Sequence, residues 1–371
     1  MIKIGITGQN GFIGYHLYNT LGLFPEEFTL VPFERSFFED GPKLVDFIRD
    51  CDVIVHLAAL NRHHNPDYVY NTNVQLVKKL VEALKVSNHK PHVIFSSSSQ
   101  EVRINPYGKS KKAGREIFSK WSGESGAKFT GLLIPNVYGP FGNPYYNSFI
   151  ATFSHQLTHN EHPKIDTDGE VKLIYVGDLV AKIVEAIRGG NGCEELVVEH
   201  TNEYKVSEIL RILEVFKDQY LELGIIPKLS DRFELNLFNT FRSYIDLQKY
   251  PVKFSAFNDA RGFFVEIAKL YIGGQVSFST TIPGITRGNH FHTRKIERFA
   301  VIKGKALIEL RKIGTSEVLE FYLDGDKPSF VDMPIWYTHN IKNIGDEDLY
   351  TIFWINEFYD QKDPDTFYEI V

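Results

Sequence analysis

The chain changes rhythm about two-thirds of the way along, and that change constrains the fold more than any other feature of the sequence. Up to about Asp246, short apolar runs (Ile2–Thr7, Val53–Ala58, His92–Ser97, Thr130–Ile134, Lys172–Val176) alternate with amphipathic stretches (Phe12–Leu23, Tyr68–Val86, Gly108–Trp121, Leu179–Ile187). Strands alternating with helices predict a parallel sheet covered on both faces. Beyond that point Phe254–Ile267, Gln275–Thr281, Phe299–Lys303, Ala306–Arg311, Leu319–Tyr322 and Tyr350–Ile355 read as strands. Only turns such as Gly273-Gly274, Ile313-Gly314 and Asp324-Gly325 separate them, which predicts a sandwich or barrel. The expected division lies in Asp246–Ser255, with an α/β domain over 1–246 and an all-β domain over 247–371.

Bulk properties narrow the function classes. A length of 371 residues with 43% hydrophobic content supports two proper cores. A net charge of -6 without a basic stripe argues against a nucleic-acid partner. Two cysteines, Cys51 and Cys193, make no disulfide framework. Met1–Ile6 lacks a signal pattern and no apolar run is long enough for a bilayer, so the expected setting is the cytoplasm, away from membranes.

Gly8, Gly11 and Gly14 follow the first strand directly and open a helix. Glycines there permit a tight turn and a close backbone approach, so that a pyrophosphate sits on the helix amino terminus. The second strand is expected to end near Glu34-Arg35. An acidic residue at that place reads a ribose 2′-hydroxyl and an arginine a 2′-phosphate; with both present, Arg35 and NADPH are the favoured assignment, and a surface ion pair the plain one.

Tyr107 and Lys111 stand one helical turn apart and share a face. An ammonium beside a phenol favours the phenolate, so Lys111 is expected to lower the Tyr107 pKa and suit it to proton exchange with a carbonyl. The pair follows the serine run Ser96–Ser99, at the carboxyl edge of the sheet where such folds bind ligands. An unrelated solvated helix face is the plain alternative.

In the second half, Gly284, His290, His292, Glu297 and Gly304 are spaced G-x5-H-x-H-x4-E-x6-G, and His339 follows Pro334. Residues two apart on a strand project to one side, so His290 and His292 converge, with Glu297 across the next turn and His339 from an opposing strand. Three imidazoles and a carboxylate suit zinc, and also iron(II), manganese or nickel.

The motif G-x-x-G-x-x-G, with Asp52–Ala59, Tyr107-Gly108-Lys109-Ser110-Lys111, Pro135–Pro140 and Tyr175–Asp178, resembles the extended short-chain dehydrogenase/reductases. That resemblance implies cofactor contacts at Leu57, Ala58 and Lys111 as well as the glycines, and Ser98, rather than Ser97 or Ser99, as the hydrogen-bond donor to the reacting oxygen. The histidine segment matches the first cupin motif, with Trp336 where the second usually has glycine. Asp259–Glu266 and Thr286–His290 resemble the deoxysugar-nucleotide 3,5-epimerase cupins, implying that Arg261 and Glu266 contact a nucleotide sugar; an exposed cross-strand pair is the alternative. His290 then carries two assignments, ligand or base, and the neighbouring His292 and Glu297 favour ligand.

Over its whole length the chain resembles the bifunctional capsular-polysaccharide enzymes that form UDP-2-acetamido-2,6-dideoxy-L-talose. The resemblance includes Asn61-Arg62, Tyr146-Asn147-Ser148 and Trp354–Glu357. It implies a homodimer that epimerises C3 of a UDP-linked 4-keto-6-deoxy-HexNAc in a zinc-bearing cupin, then reduces C4 with NADPH, with Arg62, Asn136 and Asn147 touching substrate. A 4-keto reductase whose cupin serves only dimerisation or substrate binding is the competing expectation.

Overall fold

Two Asn-Pro pairs set where the helices that frame the first site begin. Asn65 and Asn105 each cap a helix whose first residue is proline, and their side-chain oxygens accept from the amides of Asp67 and Gly108. Proline suits that position because its missing N–H has no intrahelical partner there. The computed structural model describes all residues except Gly190, Asn191 and Arg261, and all side chains except theirs and those of Cys193, Asn258, Asp259, Gly262 and Phe263.

Contacts divide the chain into two units, the first comprising Met1–Thr152 and Ile165–Glu208. Its strands are β1 (Ile2–Thr7), β2 (Phe28–Val31), β3 (Val53–His56), β4 (His92–Ser98), β5 (Phe129–Ile134), β6 (Asn136–Tyr138), β7 (Glu170–Tyr175), β8 (Cys193–Val197) and β9 (Asn202–Lys205). Its helices are α1 (Phe12–Gly22), α2 (Gly41–Arg49), α3 (Pro66–Ser87), α4 (Pro106–Ser125), α5 (Phe149–Thr158), which crosses the division, and α6 (Val176–Gly189). A six-stranded parallel sheet runs β2-β1-β3-β4-β5-β8. One apolar core joins it to α2, α3 and α4, another to α1 and α6, so both faces are covered as expected. The strand at Lys172–Val176 forms, but as β7 in a separate sheet of order β6-β7-β9, because β8 takes the free edge of β5. The second strand stops at Val31, before Pro32, which has no amide for a ladder; Arg35 instead opens a 3-10 turn over Arg35–Glu39.

The second unit comprises Phe153–Lys164 and Ile209–Val371. It holds two five-stranded sheets, one built on Glu297–Lys303, Ser329–Met333, Leu349–Ile355 and the edge strand Gln275–Thr281, the other on Thr286–Phe291, Lys305–Lys312, Val318–Asp324 and Tyr337–Asn343. Their inner faces alternate: Ala306, Ile308 and Leu310 are fully buried against Val301, Val331 and Leu349 of the other sheet. The stretch read as one strand, Phe254–Ile267, is a hairpin of Ala256–Asp259 with Gly262–Val265, and its inner ends carry the turn-favouring residue types Asn258, Asp259 and Gly262.

The division expected at Asp246 falls inside this unit. Residues from Ile209 onward pack with the double sheet: Tyr220 donates to Asp332 (2.5 Å), Arg242 to the Met333 carbonyl (3.0 Å), and Asn239 to the Arg294 carbonyl (2.9 Å). The helix Arg232–Arg242 buries Phe233, Leu237, Phe238 and Phe241, an apolar stripe that cannot stay in water. No helix among the described residues is long and apolar enough to cross a membrane.

Candidate active site and metal centre

The carboxyl ends of β1, β3, β4 and β5 open onto a cavity of about 710 Å³, contained in the first unit. Gly8, Gly11 and Gly14 form its floor. Gly8 holds φ +82°, and a Cβ on Gly14 would lie 2.2 Å from the Gly8 carbonyl oxygen, so neither place accepts a side chain. The first turn of α1 has no acidic residue and no side-chain cap, which leaves its amides open to an anion. Leu57 and Lys111 also line the cavity, whereas Ala58 lies behind Gly8, its amide 2.8 Å from where a Gly8 Cβ would be. Arg35 is exposed and outside the lining.

Ser98, Tyr107 and Lys111 converge on the same cavity, as do Arg62, Asn136 and Asn147. The Ser98 oxygen accepts from the Gln100 amide at 3.1 Å, so its hydroxyl proton is left to donate elsewhere. Lys111 is 3% exposed and donates to the Ser96 carbonyl at 2.7 Å; burial pulls its ammonium down to about 7, with Glu101 opposing. The expected lowering of Tyr107 is not found. Burial pushes the phenol up, with Tyr146 adding to it; the Lys111 ammonium lies 5.7 Å from the ring centroid and donates to the Ser96 carbonyl.

Sequence reasoning passed over the groups that brace this site. Glu101 accepts from Ser97 and from Arg115 in a paired contact (3.0 and 2.8 Å), and Arg115 also meets Glu195 at 2.8 Å. Arg115 continues the Tyr107–Lys111 spacing by one more turn, a signal that was open to reading. Tyr146 orders the other wall, its hydroxyl accepting from the Asn61 amide at 3.0 Å and its carbonyl from Arg62 at 3.5 Å.

In the second unit His290, His292, Glu297 and His339 bring their ligand atoms within 4.8 Å of one another. His292 Nδ1 donates to the Asp365 carbonyl (2.6 Å) and His339 Nδ1 to the Tyr337 carbonyl (3.2 Å). A carbonyl only accepts, so each Nε2 carries the lone pair when its ring is neutral. Both Nε2 atoms face the same Glu297 oxygen, at 3.0 and 3.2 Å. Acceptor against acceptor is repulsive unless a proton or cation lies among them, and His339 Nε2 is buried without a hydrogen-bond partner. The donor set therefore fits a divalent metal ion. Burial alone would raise Glu297, but a proton on the facing imidazoles holds its carboxyl well below the carboxylate range, so the carboxylate stays charged and able to meet a cation. Burial, with His339 beside it, pulls His290 down to about 4, keeping it neutral and available as a ligand.

Comparison with known proteins covers both units. Residues 4–198 match the NAD dependent epimerase/dehydratase family and 257–367 the polysaccharide biosynthesis C-terminal domain. The UDP-2-acetamido-2,6-beta-L-arabino-hexul-4-ose reductase of Pseudomonas aeruginosa is 32% identical over 99% of this chain and 98% of its own. The capsular polysaccharide assembling protein CapF of Staphylococcus aureus is 35% identical, with complete coverage of both chains and a TM-score of 0.62. The chain belongs to the CapF family of capsular-polysaccharide enzymes. A UDP-glucose 4-epimerase of Thermotoga maritima, 21% identical over 66% of this chain with a TM-score of 0.55, shares the fold of the front part.

Arg261 and Glu266 are the residues of the second unit expected to contact the sugar. Arg261 lies outside the described residues, and Glu266 is exposed and paired with Lys269 at 2.7 Å.

Proposed function

We propose that this chain converts a UDP-2-acetamido-2,6-dideoxy-4-keto-hexose into UDP-2-acetamido-2,6-dideoxy-L-talose. The second unit epimerises C3 and the first reduces C4 with NADPH. The observation that carries the reading is the convergence of Ser98, Tyr107 and Lys111 on a cavity floored by the open amino end of α1. The relative matched over nearly the full length is a 4-keto sugar-nucleotide reductase by name, which supports it.

NADPH bound there would supply the hydride. Tyr107 gives a proton to the ketone oxygen, and the Ser98 hydroxyl donates to that oxygen as charge develops on it. Lys111 holds the cofactor ribose, while the glycine turn and the amides of α1 take the pyrophosphate. Arg62, Asn136 and Asn147 contact the substrate, and Arg35 the 2′-phosphate from outside the cavity rim. In the second unit His290, His292, Glu297 and His339 would hold a divalent ion, zinc by preference, whose chemistry is to polarise a carbonyl. A polarised C4 ketone makes the C3 hydrogen acidic, which is what epimerisation requires. Arg261 and Glu266 are proposed to contact the nucleotide sugar.

We further propose a cytoplasmic homodimer; exposed Val276 and Phe278 on the edge strand Gln275–Thr281 support self-association. The test is turnover. Tyr107→Phe is expected to lose NADPH oxidation by at least about 100-fold while still binding NADPH. NADPH should also bind more tightly than NADH. A Tyr107→Phe enzyme with undiminished turnover would contradict the scheme.

A further inference from the structure

We infer that Asp365 is a positioning residue for the metal centre, holding His292 and the loop towards Glu297 in ligating geometry from 73 residues away. The inference rests on the reading of His290, His292, Glu297 and His339 as metal ligands. One carboxylate oxygen of Asp365 accepts from the Thr293 amide (3.0 Å) and the Thr293 hydroxyl (2.6 Å). The other accepts from the amides of Arg294 and Lys295, each at 3.0 Å. Three successive amides thus converge on one anion, a nest that fixes the backbone leaving His292. The main-chain oxygen of Asp365 meanwhile accepts from His292 Nδ1 at 2.6 Å, which turns Nε2 towards Glu297.

Asp365 is built for this and not for solvent. It is 4% exposed and sits at φ +39°, a conformation that a residue with a Cβ rarely adopts. Its neighbours reach the other ligand-bearing segments. Phe367–Tyr368 pairs with Phe291 and His290, and the Thr338 hydroxyl, beside His339, donates to the Glu369 carbonyl. Lys295, itself buried, donates from its ammonium to the Pro364 carbonyl at 2.5 Å. The segment from Pro364 onward is therefore a strap whose tightest point is Asp365. Removing its carboxylate leaves three loop amides without their acceptor and frees the carbonyl that orients His292.

The experiment is zinc competition against a chromophoric chelator, on the full chain and on Asp365→Ala and Asp365→Asn, with thermal unfolding in excess zinc run alongside. Asp365→Ala keeps the carbonyl but loses the carboxylate that fixes it, and is expected to weaken zinc binding by about 10–100-fold, the range for outer-shell support of a metal-bound histidine. Asp365→Asn keeps one acceptor oxygen and should fall between. Should the alanine variant not fold, the asparagine variant carries the comparison. Zinc held as tightly by the variants as by the parent, whatever their melting temperatures, overturns the inference alone. A parent chain that takes up no stoichiometric zinc overturns the metal reading itself, and the inference with it.

Discussion

Lys111 sits where an ammonium is hard to keep charged, and its titration has a consequence for cofactor binding. An ordinary lysine releases its proton near 10.5; burial brings Lys111 to about 7. Its folded value is thus below its unfolded one, so between about 7 and 10.5 the unfolded chain holds a proton that the folded chain has released, and stability rises with pH across that window. Binding runs the other way. A cofactor anchored on the ammonium must restore the lost proton above pH 7, so NADPH affinity should weaken by up to about tenfold per pH unit between pH 7.5 and 9. Lys111→Arg, which stays charged, should flatten the profile. Titrating NADPH binding by fluorescence at several pH values checks this, and a flat parent profile would contradict it. The phenol of Tyr107 lies above this range and does not confuse the measurement.

At the scale of single elements, what the sequence makes legible is what lies within one turn or one strand. Tyr107 and Lys111 are four residues apart on α4, and His290, His292 and Glu297 are near neighbours, so local geometry already brings each group together. The braces are different in kind. Helical spacing puts Arg115 on the face of Tyr107 and Lys111, but its partner Glu101 lies 14 residues away, and Asp365 meets His292 across 73; periodicity does not name such partners. Trp336 shows another limit. It takes φ +61° where glycine is usual in the cupin motif, and it tolerates this because its ring is buried and stacked on Phe291 at 5.7 Å. Trp336→Gly would relieve about 1–2 kcal/mol of left-handed strain but forfeit about 3–5 kcal/mol of aromatic burial. A net loss of about 1–4 kcal/mol is expected in urea unfolding. A stabilised variant would show that strain outweighs packing at this turn.

At the scale of the whole molecule, the change from strand–helix alternation to closely spaced strands was enough to separate an α/β from an all-β fold. It was not enough to place the residues between them. Residues 209–246 belong by contact to the second unit, because Tyr220 and Arg242 reach Asp332 and Met333 about a hundred residues on. Helical periodicity shows that such a stretch has an apolar face and is silent on which sheet it covers. On the proposed reading the two units carry complementary chemistries and act on one substrate in a fixed order. NMR of UDP-2-acetamido-2,6-dideoxy-4-keto-hexose with the zinc-loaded enzyme in deuterated water tests this most directly. The account predicts deuterium at C3 before any NADPH is added, and a 6-deoxytalose product carrying that label afterwards. Reduction at C4 with no solvent deuterium at C3 would contradict it and leave the second unit without a chemical step.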